Sequence, residues 1–193
     1  MKKILLIAML PFFMPVFGQK WAKEYDFVND NVCGLSLVKK NGKYGFVNKE
    51  GKVVVPLIYD ESSTMSEGYA PVRQGELWGF VDSVGHVTIN PQYNDALCYH
   101  DGRAAVKQGG KWGFVDYAGK LVIPFTFDNA RGFREGMAAV SNLKGYWGFI
   151  DVEGKLVIPF MYHFADNFQD GVAKVMKGEK SFHINKHNIE IKE

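Results

Sequence analysis

Two cysteines, Cys33 and Cys98, are all that this chain of 193 residues contains. They are too few for a disulfide framework, and their spacing fits no zinc pattern. An excess of one charge is missing too. Twenty-three Lys and Arg stand against 21 Asp and Glu, with no basic cluster, so nucleic acid is a poor partner. No glycine loop opens a helical pattern, which removes a phosphate cradle. No apolar run reaches the roughly 18 residues a spanning helix needs. The longest, Ile4 to Phe17, is interrupted by Pro11 and Pro15.

That run has a different use. Lys2 and Lys3 precede it, and Val16-Phe17-Gly18 offers a small-residue cleavage site before Gln19. Residues 1–18 are expected to be an export signal. The mature domain, 19–193, is then periplasmic or extracellular, without a transmembrane segment. No cysteine follows the cleavage site, so no lipid anchor is indicated. Cleavage removes two lysines and leaves basic and acidic residues in balance.

What the chain has in abundance is itself. "GGKWGFVDYAGKLVIPFTFDNARGF" from Gly109 returns as "KGYWGFIDVEGKLVIPFMYHFADNF" from Lys144. The aromatic-Gly pair recurs as Tyr44-Gly45, Trp78-Gly79, Trp112-Gly113 and Trp147-Gly148, at steps of 34, 34 and 35. Gly34, Gly68, Gly102, Gly136 and Gly171 keep the same time, as do Tyr25, Tyr59, Tyr93, Phe127 and Tyr162. These aromatics open five units, starting at 25, 59, 93, 127 and 162. In the fifth, Ser181-Phe182 replaces Trp-Gly, which suits a degenerate terminal cap.

Each unit shows three apolar runs separated by glycine turns, and this predicts a three-stranded β-meander. Asp82, Asp116 and Asp151 open the second turn. Prolines 56, 91, 124 and 159 are expected to end the third strand. In the first strand Ser36, Ala70, Ala104, Ala138 and Ala173 alternate with an invariant valine. That face is predicted to be core, and the variable face to meet solvent or a partner. The Trp of one unit is expected near the middle-strand glycine of the next, and the connectors are expected to hold a short helical turn. Cys33 and Cys98 sit two units apart and are not expected to bond. The fold expected is all-β: an open solenoid or superhelix of five such units. The alternative is a small β-propeller, whose fourth strand per blade would have to come from the connector.

From Tyr25 to about Lys192 the chain resembles the WG-repeat family, built around "(K/Y)WGF(I/V)(D/N)xxGKxVIPxxYD". Units two to four fit it well, unit one has Tyr44 for Trp, and unit five lacks the pair. The resemblance implies a β-rich array, often exported, that binds proteins, peptides or envelope glycans. It brings no catalytic residues.

The residues supply no chemistry of their own. His183 and His187 lack a third metal ligand, and the turn aspartates lack calcium-loop spacing. Cys98 and His100 make no nucleophile arrangement. The tryptophan row reads as core packing rather than a sugar platform. The expected role is an exported, non-enzymatic binding or scaffold module without cofactor or metal, for an unidentified protein, peptide or glycan. An envelope-polymer hydrolase or a purely structural envelope protein is the alternative. Tyr69, Arg103, Met137 and Lys174 sample the variable positions and are the candidate contacts.

Overall fold

The computed structural model describes residues 20–191. The expected export signal lies outside the described residues, apart from which the chain enters through a short 3-10 turn, Lys20–Glu24. The described residues then form five four-stranded antiparallel sheets, each in simple sequential order. The first holds β1 (Phe27–Val32), β2 (Leu35–Lys40), β3 (Lys43–Asn48) and β4 (Val53–Tyr59). The second holds β5 (Glu61–Ser62), β6 (Tyr69–Gln74), β7 (Leu77–Asp82) and β8 (Val87–Tyr93). The third holds β9 (Asp95–Ala96), β10 (Ala104–Gln108), β11 (Lys111–Val115) and β12 (Leu121–Phe127). The fourth holds β13 (Asn129–Ala130), β14 (Met137–Ser141), β15 (Trp147–Asp151) and β16 (Leu156–Tyr162). The fifth holds β17 (Phe164–Ala165), β18 (Val172–Lys177), β19 (Lys180–Asn185) and β20 (Glu190–Ile191).

The three-stranded unit therefore needs correction. Its fourth strand comes from the connector, which pairs two residues with the next unit before leaving the sheet: Glu61 lies opposite Arg73, and Ser62 opposite Val72. Two residues are too short to show an alternating pattern, so no strand was legible there. No helical turn forms in the connectors either. Asp26 and Asp60 use Oδ2 to accept the N–H of Asn41 and of Gly75 in the first hairpin, each at 2.8 Å. Beyond the short strand the connector plugs the core with one large side chain. Met65, Tyr99, Phe133 and Phe168 are all essentially buried.

The one-sided core is also wrong. Leu35, Leu37, Phe46 and Val55 of unit 1 pack on Tyr59, Met65, Ala70, Val72 and Val81 of unit 2. Ala105, Trp112, Phe114 and Ile123 of unit 3 pack likewise on Phe133, Ala138, Val140 and Ile150 of unit 4. The constant face of each unit thus meets the variable face of the one before. A unit inside a stack has neighbours on both sides, so both faces must be apolar. The alanine keeps one face shallow while Phe46, Phe80, Phe114 and Phe149, all fully buried, fill the other.

The prolines do not end the third strands; they sit in bulges within them. Between Trp112↔Phe127 and Phe114↔Ile123, two steps on β11 match four on β12, and Pro124 occupies the excess. The bulged backbone is what demands the middle-strand glycine. A Cβ on Gly113 would meet the Ile123 carbonyl oxygen at 2.6 Å, and one on Gly45 would meet that of Val55 at 2.6 Å. The tryptophans do face the next unit, but the glycine answers to its own third strand.

The second turns behave as the sequence predicts. Asp116 Oδ1 accepts the N–H of Ala118 at 3.0 Å and of Lys120 at 2.9 Å. Asp82 and Asp151 do the same, as does Asn185 in the last unit. Cys33 and Cys98 are both free thiols.

Candidate binding surfaces

The repeat turns place one tip residue per unit at the same point along a rim: Lys49, Ser83, Tyr117, Val152 and Lys186. Three of these tips, Tyr117, Val152 and Lys186, reach back to the start of the preceding unit. Tyr117 stacks on Tyr69, with ring centroids 4.9 Å apart and planes 17° apart. The Val152 carbonyl accepts from Arg103 Nε at 3.2 Å. The Lys186 ammonium lies 3.2 Å from the Glu135 carboxylate and holds that carboxyl below its usual range.

Of the four sequence candidates, Tyr69 and Arg103 lie on this rim, and both are committed to neighbouring units. Met137 is buried in the interface between units 4 and 5, so it is a core residue rather than a contact. Its position follows from the two-faced packing, which an alternation rule for a one-sided sheet cannot foresee. Lys174 is exposed on the outer face of unit 5, directly opposite His183. The structure does not bring the four together.

A row of carboxylates underlies the rim. Glu67 accepts the N–H of Asp101 at 2.9 Å, that of Gly102 at 3.1 Å and the Tyr117 hydroxyl at 2.8 Å. Asp101 accepts from the Gly136 N–H at 2.8 Å, and Glu135 from Gly171 at 3.1 Å. Each acid latches one unit to the next. Partial burial, reinforced by the Glu67 carboxylate, pushes the Tyr117 phenol up to about 12. These acids precede the marker glycines in phase, and that signal was there to be read.

One serine and one histidine meet. Ser66 Oγ stands 3.2 Å from His100 Nδ1 but donates its proton to the Tyr99 carbonyl at 2.6 Å. His100 must then be the donor toward Oγ, the reverse of what a general base requires. Burial, with Arg134 nearby, lowers the His100 pKa. Burial raises that of the Cys98 thiol, away from the thiolate a nucleophile needs. Among the described residues no group of three or more His, Cys, Asp or Glu is placed to hold a metal.

Cations lie over the aromatic row. Lys39 covers the Tyr44 ring at 4.8 Å, Lys107 covers Trp112 at 5.7 Å, and Arg73 lies 6.0 Å from Trp78. In unit 4 the cross-strand cation is replaced by Ser141, and Arg131 from the connector covers Trp147 at 5.5 Å. Trp112 is only 7% exposed, which favours packing over ligand stacking. No helix among the described residues is long and apolar enough to cross a membrane.

A model of the WG containing repeat matches five consecutive segments: 18–44, 44–78, 78–112, 112–146 and 147–180. A search of curated proteins gives no match. Among solved structures, Hsv2 of Kluyveromyces lactis with a replaced loop superposes with a TM-score of 0.55 at 10% identity, over 82% of this chain and 62% of that one. BamB from Moraxella catarrhalis gives 0.51 at 10% identity, over 80% of this chain and 56% of that one. A eukaryotic initiation factor gives 0.54 at 9% identity, over 81% and 51%. The structural neighbours are propeller-like. The chain spans less than two thirds of the length of each of these three.

Proposed function

The chain belongs to the WG-containing repeat family, and from that premise we propose that it is an exported, non-enzymatic binding or scaffold module for a protein, peptide or envelope glycan. One observation carries the reading. Five units repeat one backbone, yet the tip position on the shared rim holds Lys49, Ser83, Tyr117, Val152 and Lys186, four residue types in five places. A repeat array is suited to varying such a surface unit by unit while keeping its core. The repeat acids are held in turns (Asp82, Asp116, Asp151) and in latches between units (Glu67, Asp101, Glu135). Export rests on Lys2, Lys3 and the apolar run ahead of Gly18.

The finer architecture we propose is an open array. Ala105 and Phe114 in unit 3, and Ala139 and Phe149 in unit 4, face the following unit and are fully buried. At the equivalent places unit 5 has Lys174 and His183. Residues of that kind suit a face that ends in solvent. The test of function is capture: the chain from Gln19, immobilised, is challenged with envelope extract, and Tyr117→Ala is run beside it. Specific retention that weakens in the variant supports a binding rim. Turnover of envelope polymer by the purified protein would overturn the reading.

A further inference from the structure

Among the described residues no repeat unit precedes unit 1, yet the constant face of that unit is closed. Ser36, Val38 and Val47 stand where Ala138, Val140 and Ile150 of unit 4 pack on unit 3. All three are buried. The second-turn glycine beside this face marks what stands in for a neighbour. A Cβ on Gly119 would lie 3.1 Å from Ile89 of the unit before, and one on Gly154 would lie 3.1 Å from Ile123. One on Gly51 would strike the Trp21 ring.

The spacing agrees with the contact. Trp21 lies 34 residues ahead of Val55, and Ile89, Ile123 and Ile158 follow at steps of 34, 34 and 35. The segment Lys20–Tyr25 is therefore in phase with the outer strands β4, β8, β12 and β16. It has no middle strand to pair with, and Lys20–Glu24 winds into the 3-10 turn instead. Two contacts tie that turn to unit 1. The Trp21 Nε1–H donates to the Lys49 carbonyl at 3.1 Å, and the indole meets the Tyr25 ring edge-on at 6.0 Å. Where β16 has Phe160 and Met161, the turn has Lys23 and Glu24, both exposed. A polar outer side is what the terminal element of a stacked array requires.

We propose that Lys20–Tyr25 is a strap in the place of a missing unit's outer strand, and that Trp21 closes the end of unit 1 against a second copy of this chain. Removing the indole leaves Val38 and Val47 under-covered, and an apolar end face of a repeat array invites association. The strap rests on the open array proposed above, because in a closed ring unit 5 would cover the same face.

The test is sedimentation of the chain from Gln19 over a wide range of concentration, with circular dichroism alongside. Trp21→Ala should keep the β signal and self-associate as concentration rises, while the parent stays monomeric. Trp21→Ile restores the aliphatic residue of the other units and should sediment like the parent. Equal sedimentation of Trp21→Ala and parent overturns the strap, as does association of Trp21→Ile to the same degree as Trp21→Ala. Loss of the β signal in Trp21→Ala makes the residue part of the core and also overturns it. Lys174→Ala with His183→Phe probes the other end of the stack. If that double variant associates and Trp21→Ala does not, the strap fails and the open array stands. If neither associates, the open array fails with it.

Discussion

Gly113 lies beneath the carbonyl of Ile123, so close that any side chain at 113 would begin 2.6 Å from that oxygen. The two residues belong to adjacent strands of one sheet, and the bulge at Pro124 brings them together. The aromatic-Gly signature is thus one half of a lock whose other half is the Ile-Pro of the third strand.

Gly113→Ala should accordingly destabilise the protein by about 1–3 kcal/mol, the cost of overpacking against backbone that cannot yield. Gly148→Ala should behave alike, since its Cβ would meet the Ile158 oxygen at 2.5 Å. Urea midpoints measure this. Values equal to wild type would remove the bulge as the reason for the glycine.

Phe114→Ala should cost about 3–5 kcal/mol, the range for a large buried aromatic. Phe114 is fully buried between units 3 and 4, against Phe133 at 4.9 Å. Leu143→Ser, on an exposed tip, should stay within about 0.5 kcal/mol of wild type. Chemical denaturation of the two side by side checks the contrast.

Tyr117 gives a pH signature. Its folded pKa is raised to about 12 from 10.0. The neutral phenol is therefore favoured in the folded state, and its contribution is complete below the unfolded value. Between about pH 10 and 12 the unfolded chain ionises first, so this contribution falls as pH rises. Tyr117→Phe should remove that part of the alkaline loss, read from melting temperatures across the range. A parallel decline in both proteins contradicts the assignment.

Much of this was legible because repetition makes positions comparable. The period, the turn aspartates and the strand order of Leu35 to Tyr59 followed from spacing alone. Three things did not. The strand Glu61–Ser62 is too short to show a period of two. The variable face looked solvent-bound because stacking lets Leu35, Tyr69, Arg103 and Met137 differ while each is covered by the next unit. The plugs Met65, Tyr99, Phe133 and Phe168 keep phase three residues before the marker glycines, a signal hidden only by their lack of strand pattern. Of the candidate contacts, Met137 was misplaced for the same reason.

The free end that the proposed open array requires at unit 5 is testable by restoring what that unit lacks. Lys174→Ala with His183→Phe would give unit 5 the residues that units 3 and 4 bury against a neighbour. An apolar face of this kind in solvent invites association. The double variant should sediment as a concentration-dependent oligomer while the parent stays smaller. Identical sedimentation would mean the face is already covered.

The most direct test of the open array is excision of one unit. Deleting Tyr93–Thr126 removes a whole period and joins Gln92 to Phe127 in phase. Stacked units depend on nearest neighbours alone, so the constant face of unit 4 can meet the variable face of unit 2. The expected product is soluble and β-rich by circular dichroism, with one cooperative transition at a lower temperature than the parent. If the deletion gives only aggregate while Phe114→Ala in the same unit still folds, the units form a closed ring and the open array is wrong.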